Sequence, residues 1–358
     1  TLHSHVWKAW LGRAIDKHVP IRICWTEFAV KTLTQHSELV SSITPTLVAR
    51  AVDPDEQVRA ELAKLIYDLD YDTIWLHIPQ EILKELAQRG KDRRATVRNR
   101  ALDAIGRAFS LTYAESGSVS TFSEKFGWIP GAVLNCHLTG SCEVTRSVVH
   151  TWETYIVPPY NPSYALRLHT VTSLLNENER SVLFYLTNLR LPRPTALDVY
   201  VECCNGKDSS RLSACIQAIA AILNDPDAPR VLHSFANAPD EFILNAMRVC
   251  FDPSTLLDES ARTRHEAISY MQEQLPEMMD VLSACLWTGS FPILNVSCIQ
   301  PLLELQSTQL LTFIAQNAPY LFKGYSEVLM QMVLDEPVSS LAIELLASLA
   351  AFDATSVT

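Results

Sequence analysis

Apolar residues recur three and four positions apart through most of the chain, the spacing of one buried face of an α-helix. The run DPDEQVRAELAKLIYDL shows it well, and IPQEILKELAQRGKDRRATVRNRALDAIGRAF repeats it. Sustained apolar/polar alternation bounded by turn dipeptides is not found, so the pattern predicts an all-α chain. Helix pairs are predicted over 5–35, over 38–70 with Pro45 inside or kinking its first helix, and over 78–113. Gly90 is expected just past a helix end. After Tyr113 the regularity fails. A loop is expected from Glu115 to Thr121, then a helix broken at Gly127 or Pro130, then a helix from Glu143 to Ile156 ending at Val157-Pro158-Pro159-Tyr160. Two helices are read between Pro162 and Leu191, with a break at Pro192-Arg-Pro194. Further helices are read near 195–204, 208–224, 228–236 and 239–250, and over 259–287 with an interruption at Pro276. A regular repeat returns over 307–350.

One phrase recurs in the regular part. Asp16 leads to Ile21-Arg22, Asp53-Pro54 to Val58-Arg59, and Asp92 to Val97-Arg98, so the arginines are 37 and 39 residues apart. A period near forty with two helices per unit predicts a HEAT-repeat αα-solenoid, irregular in its middle. Asp is suited to cap a helix start and Pro to occupy a first turn. Each arginine is expected to reach the Asp of a neighbouring repeat, forming a ladder along the stack. The organisation expected is one continuous solenoid: regular repeats over 1–113, irregular helical repeats over 114–306, and a HEAT repeat over 307–358. Polar capping repeats are missing at both ends, as expected of a segment of a longer solenoid.

Composition sharpens this picture. The chain has 358 residues, 48% of them hydrophobic, and only 10 glycines. That is enough apolar material for a continuous core, and the shortage of glycine argues against glycine-rich nucleotide folds. Net charge is −11, unevenly spread: residues 1–113 carry +2 and the remainder −13. An acidic body disfavours general binding to nucleic-acid phosphates. Nine cysteines without framework spacing read as free thiols. Val281–Leu303 is long enough to span a bilayer, but Pro292, Asn295 and Pro301 break it, so buried solenoid helices are expected. The sequon at Asn295 is expected to be idle.

No catalytic constellation is present. The chain lacks phosphate-binding glycine loops, the HExxH zinc motif and the GxSxG elbow. Cys136, His137, Cys142 and His150 do not match a structural zinc module, and Glu177 and Glu179 read as helix caps. No cofactor, metal or enzymatic activity is expected. Two features invite a partner. Arg89, Lys91, Arg93 and Arg94 form a basic stretch, which suits phosphate, DNA or an acidic peptide, or simply serves as a helix end and inter-repeat turn. Aromatic residues cluster at Phe122, Phe126, Trp128, Trp152, Tyr155, Tyr160 and Tyr164. Beside a break in repeat geometry they offer anchors for a peptide, or else serve as core.

The order of motifs resembles a known family. The segments WKAWLGRAIDKHVPIRICWTEFAVKTLTQH, VDPDEQVR, KDRRATVRNRALDAIGRAF, and KFGWIPGAVLNCHL followed by RSVVHTWETYIVPP are similar to the cohesin-associated HEAT-repeat regulators called "precocious dissociation of sisters" proteins. The resemblance implies a nuclear, chromatin-associated, non-enzymatic scaffold. It implies binding to the kleisin subunit of cohesin and regulation of cohesin release, maintenance and sister chromatid cohesion. A cohesin-release factor is expected to bind through residues outside this fragment, and chromatin to be met indirectly. No membrane contact and little direct nucleic-acid binding are expected. The kleisin-docking surface is expected to use Phe126, Trp128, Arg146, Trp152, Tyr155, Val157, Pro158 and Tyr160. The alternative is a HEAT scaffold of another system, such as a transport receptor or a phosphatase subunit.

Overall fold

The repeated Asp-to-Arg phrase lies where each first helix of a pair turns into its second. In the computed structural model, which describes residues 4–115, 124–189, 193–206, 209–335 and 340–356, α1 (Ser4–Gly12) precedes α2 (Val19–Gln35), and α3 (Val40–Ala51) precedes α4 (Glu56–Tyr67). A short α5 (Tyr71–His77) leads to α6 (Gln80–Arg89) and α7 (Ala95–Glu115). Next come α8 (Ile129–Cys136) and α9 (Cys142–Thr151). By internal packing the chain forms two units: Thr1–Pro158 with Ser173–Glu179, and Pro159–Thr172 with Arg180–Thr358.

In the first unit the helices make two layers. Helices α2, α4, α7 and α9 stack in one, and α3, α6 and α8 in the other. The interface between them is apolar: Leu33, Ile43, Leu47, Leu62, Ile66, Leu83, Leu86, Leu102 and Ile105 are fully buried. Each such side chain is worth about 1.5–3 kcal/mol of transfer free energy. Pro45 lies inside α3, as its position predicts.

The ladder exists, and it is richer than the sequence phrase suggests. The Arg22 guanidinium grips Asp53 of the next repeat through two bonds of 2.9 and 2.8 Å. Arg59 grips Asp92 in the same way at 2.9 and 3.1 Å. The Nη1 of each phrase arginine also donates to the backbone carbonyl of its own repeat's Asp: Arg22 to Asp16, Arg59 to Asp53 and Arg98 to Asp92, at 2.8, 2.7 and 3.1 Å. The same Asp carboxylates accept the N–H groups of His18, Asp55 and Arg94, two residues on. One aspartate thus closes its own turn and receives an arginine from the preceding repeat. A second arginine sits three residues before the Asp: Arg13, Arg50 or Arg89. Arg13 and Arg50 pair with Asp16 and Asp53. The full unit is therefore Arg-x-x-Asp-x5-Arg.

Two local expectations are corrected and a third is narrowed. The cap of α4 is Asp55, which accepts from the Gln57 N–H; Asp53 and Pro54 lie in the turn before it. Gly90 has an ordinary φ of −56°, so it is not a left-handed cap. It is small because Cys136 Sγ would lie 2.7 Å, and Leu102 Cδ2 2.9 Å, from an added Cβ. Of the two expected break points, Gly127 holds: it lies in the turn 126–128 between helical residues 124–125 and α8, while Pro130 occupies the first turn of α8, where its missing N–H costs nothing.

The second unit is also helical among its described residues. Its helices include α10 (Tyr164–Leu174) and α11 (Glu177–Leu186), apart from their Ser173–Glu179 ends, then α12 (Ala196–Gly206), α13 (Ser209–Leu223), α14 (Ala228–Asn237) and α15 (Glu241–Phe251). They continue with α16 (Leu257–Gln274), α17 (Met279–Gly289), α18 (Ile299–Glu304), α19 (Thr308–Asn317), α20 (Ser326–Asp335) and α21 (Ser340–Ser356). One core joins Tyr200, Ile216, Leu232, Phe235, Met247, Met271 and Leu286. The break at Pro276 falls between α16 and α17. Asn295 is buried, its side chain accepting the Ser297 N–H and donating to the Thr255 carbonyl, so the sequon is closed off in this fold. Among the described residues no helix is long and apolar enough to cross a membrane. The expected loop over 116–121, Phe122 and parts of the break at 190–192 lie outside the described residues.

Candidate partner-docking surface

The ladder stops where the aromatic cluster begins. In the repeat formed by α8 and α9, the positions matching Arg-x-x-Asp-x5-Arg are Cys136, Thr139 and Thr145. Arg98 instead bonds Glu143 at 3.1 Å, and that carboxylate is 67% exposed. His137 pairs with Thr145 at 2.8 Å. Cys136 is buried, and burial pushes its thiol up to about 11, which leaves it inert. Among the described residues no group of three or more His, Cys, Asp or Glu side chains is arranged to hold a metal.

Helix α9 ends in a π-turn over Trp152–Ile156, closed by the Val157 N–H donating to the Trp152 carbonyl at 2.8 Å. Such turns insert one extra residue into a helix. Here Trp152, Ile156 and Val157 all face inward and are buried. Gly106 of α7 makes the approach feasible, since an added Cβ would lie 2.8 Å from both Thr151 Cγ2 and Tyr155 Cδ2. Tyr155 is half-buried, edge-on to Tyr67 with ring centres 6.5 Å apart. Burial, the Tyr67 hydroxyl and the nearby Asp103 carboxylate all raise its phenol above the ordinary tyrosine range. Burial also pushes the Asp103 carboxyl up to about 6.

Trp128 belongs to a different, more open cluster. Its indole N–H donates to the Lys125 carbonyl at 2.9 Å, and Gln80 of α6 donates to the same oxygen at 3.0 Å. The Lys84 ammonium lies 6.0 Å from the centre of the Trp128 ring. Phe126 is wholly buried, 5.5 Å from Trp75. Lys125 sits over Trp75 and bonds its carbonyl.

Burial therefore divides the expected anchors. Phe126, Trp152 and Val157 are core side chains, so they support the surface without offering atoms to a partner. Trp128, Arg146, Tyr155 and Pro158 are half-buried, and Tyr160 is 56% exposed. Tyr160 belongs to the second unit, the others to the first. Arg146 forms no ion pair among the described residues. Leu138, 67% exposed on the turn joining α8 to α9, is an apolar candidate that helical periodicity did not mark.

The basic stretch is partly consumed by structure. Arg89 bonds Glu85 at 3.2 Å and Arg94 pairs with Glu56, while Lys91 and Arg93 are exposed. These four and Arg59 surround Asp53 and Asp92 in one concavity. Desolvation raises Asp92, but the bonds from Arg59 and the Arg94 N–H outweigh it and hold the carboxyl below its ordinary range.

Comparison with known proteins agrees with this architecture. A solved structure described as the Pds5–Scc1 complex superposes with a TM-score of 0.76 at 20% identity, covering 92% of this chain and 53% of that one. The sister chromatid cohesion protein pds5 of Schizosaccharomyces pombe is 27% identical over 210 residues, 56% of this chain and 17% of the relative. The human sister chromatid cohesion protein PDS5 homolog B is 27% identical over 153 residues, 43% of this chain and 10% of the relative. The chain thus spans a small part of the length of these curated relatives. The family model described as "Sister chromatid cohesion protein PDS5 protein" matches residues 1–357, and the chain belongs to that family.

Proposed function

We propose that this chain is a non-enzymatic scaffold that docks a segment of the kleisin, the Scc1-type subunit of cohesin, and so takes part in sister chromatid cohesion on nuclear chromatin. The observation that carries the reading is the family match over residues 1–357. It is supported by the likeness in fold to a protein solved with Scc1. The proposed contacts come from the repeat that follows the last ladder arginine: Leu138 and Arg146 toward its inter-helix turn, and Trp128, Tyr155 and Pro158 toward the other end of its helices. Trp128 and Leu138 give a peptide apolar footing, and the unpaired Arg146 guanidinium suits a carboxylate. A cohesin-release factor and chromatin are further partners of the whole protein.

The test is calorimetric titration of the chain with overlapping peptides covering the kleisin between its terminal domains. One peptide is expected to saturate at micromolar concentration or below, and Arg146→Glu is expected to weaken it about tenfold. Unchanged binding to the Arg146→Glu variant removes this surface assignment; no binding by any peptide removes the reading for this chain.

A further inference from the structure

The second unit carries a groove of about 400 Å³ that the kleisin reading does not use. One wall is the proline-rich entry to α10: Pro159, Pro162 and Leu166. A second is the start of α16, Leu256 to Asp258. The third is α18 and its flanks, with Pro301, Glu304 and Leu305. The first wall is fixed in place. The Ser163 N–H bonds the Asn161 side chain at 2.8 Å, and the Tyr164 hydroxyl donates to the Ile293 carbonyl across the unit.

Leu166 is 50% and Leu256 53% exposed at the rim, so two large apolar side chains face solvent beside an apolar lining. The groove has the size of a small ligand or side-chain pocket. Its charge has one sign. Asp258 and Glu304 line it, and among the described residues no lysine, arginine or histidine does. The cation nearest Asp258 among the described residues is Arg262, 3.7 Å away and 60% exposed, a pair worth little in water. Glu304 is the last residue of α18, where the helix carbonyl end adds to its negative potential. Among the described residues it accepts a bond only from the neutral Gln300 amide, at 2.9 Å. The body around it is acidic as well: residues 114–358 carry a net charge of −13, which draws in cationic partners.

We propose that this groove docks a short linear segment of a protein partner, in which an aliphatic or aromatic residue enters between Leu166, Leu256 and Pro301 and an adjacent lysine or arginine meets Asp258 and Glu304. The prolines of the first wall offer carbonyl acceptors and no N–H donors. An extended segment lying along them must therefore bring the donors, as a peptide backbone and a basic side chain do.

The probe is a displayed library of random 12-residue peptides, selected on the whole chain and counter-screened on the double variant Asp258→Asn/Glu304→Gln. Both substitutions keep side-chain size, and circular dichroism checks the helical content of the variant. The expected result is enrichment of peptides with a basic residue next to an apolar one, binding the variant about tenfold more weakly. A second variant, Leu166→Ser, is expected to weaken the same peptides. The proposal is overturned if nothing is enriched, or if enriched peptides lack the basic residue or bind the chain and the double variant equally. Kleisin titration of the same double variant reports separately on the function proposed above, because the groove residues lie outside that surface.

Discussion

The α3–α4 and α6–α7 repeats and the α8–α9 repeat have the same two-helix plan but join to their neighbours in different ways. In the former, the turn aspartate receives a guanidinium from the repeat before, and at α3–α4 it is buried and receives one from its own repeat as well. Asp53 is 1%, Arg50 6% and Arg22 8% exposed. In the latter, the aspartate and its arginines are gone, a surface glutamate takes the last ladder arginine, and a π-turn packs aromatic rings against α7. A buried charge network specifies register well but has nothing left to offer a partner. The repeat that gave it up has an unpaired Arg146 and a half-open Trp128. In the proposed reading, loss of the repeat signature marks the place where surface chemistry is freed for binding.

The sharpest way to break this comparison is to change one residue at each junction. Asp53→Asn leaves Arg22 and Arg50 buried without a counter-charge, and the expected loss is about 3–5 kcal/mol in urea unfolding of the first unit. A loss below about 1 kcal/mol would mean that the ladder is incidental. Gly106→Ala tests the other junction. Its methyl meets Thr151 and Tyr155, and overpacking of this kind costs about 1–3 kcal/mol. Hydrogen exchange is expected to place the loosening in residues 147–157 and to leave the ladder turns protected.

Asp103→Asn sharpens the contrast in the opposite direction. The folded carboxyl is raised to about 6 by burial, above the ordinary value near 4. The folded state therefore holds this proton more tightly than the unfolded chain does. The cost of ionising it is absent below about pH 4, grows between the two values, and is complete above about pH 6. Asp103→Asn is expected to stabilise the chain by about 1–2 kcal/mol at pH 7.5, allowing for partial exposure, and to give no gain near pH 4. A pH-independent effect would count against the assignment. The smallest effect belongs to Glu143→Gln. Its exposed carboxylate contributes about 1 kcal/mol or less, so the melting midpoint should barely move.

Much of this was legible in the sequence for a simple reason. A ladder built from one residue type at a fixed spacing leaves a periodic trace, and Arg22, Arg59 and Arg98 showed it. The earlier arginines Arg13 and Arg50 were missed because they lie across a turn, outside the periodicity of either helix. Burial of Phe126, Trp152 and Val157 was not legible. An aromatic residue has the same letter in a core and on a rim, and only the packing partners, such as Trp75 on Phe126, decide between them. The π-turn was hidden because nothing in WETYI forbids an ordinary helix, and the glycine that admits its close packing, Gly106, lies far away in sequence. Glu179 was read correctly as a cap. It exchanges bonds with Asn176, accepting its N–H and donating its own, each at 3.0 Å, and that local motif needs no tertiary information.

The most direct test of the link between lost ladder and gained binding is hydrogen–deuterium exchange of the chain with and without the saturating kleisin peptide. The account predicts new protection over residues 124–158, around Trp128, Leu138 and Arg146, and none at the ladder turns near Asp53 and Asp92. Protection confined to those ladder turns would contradict it.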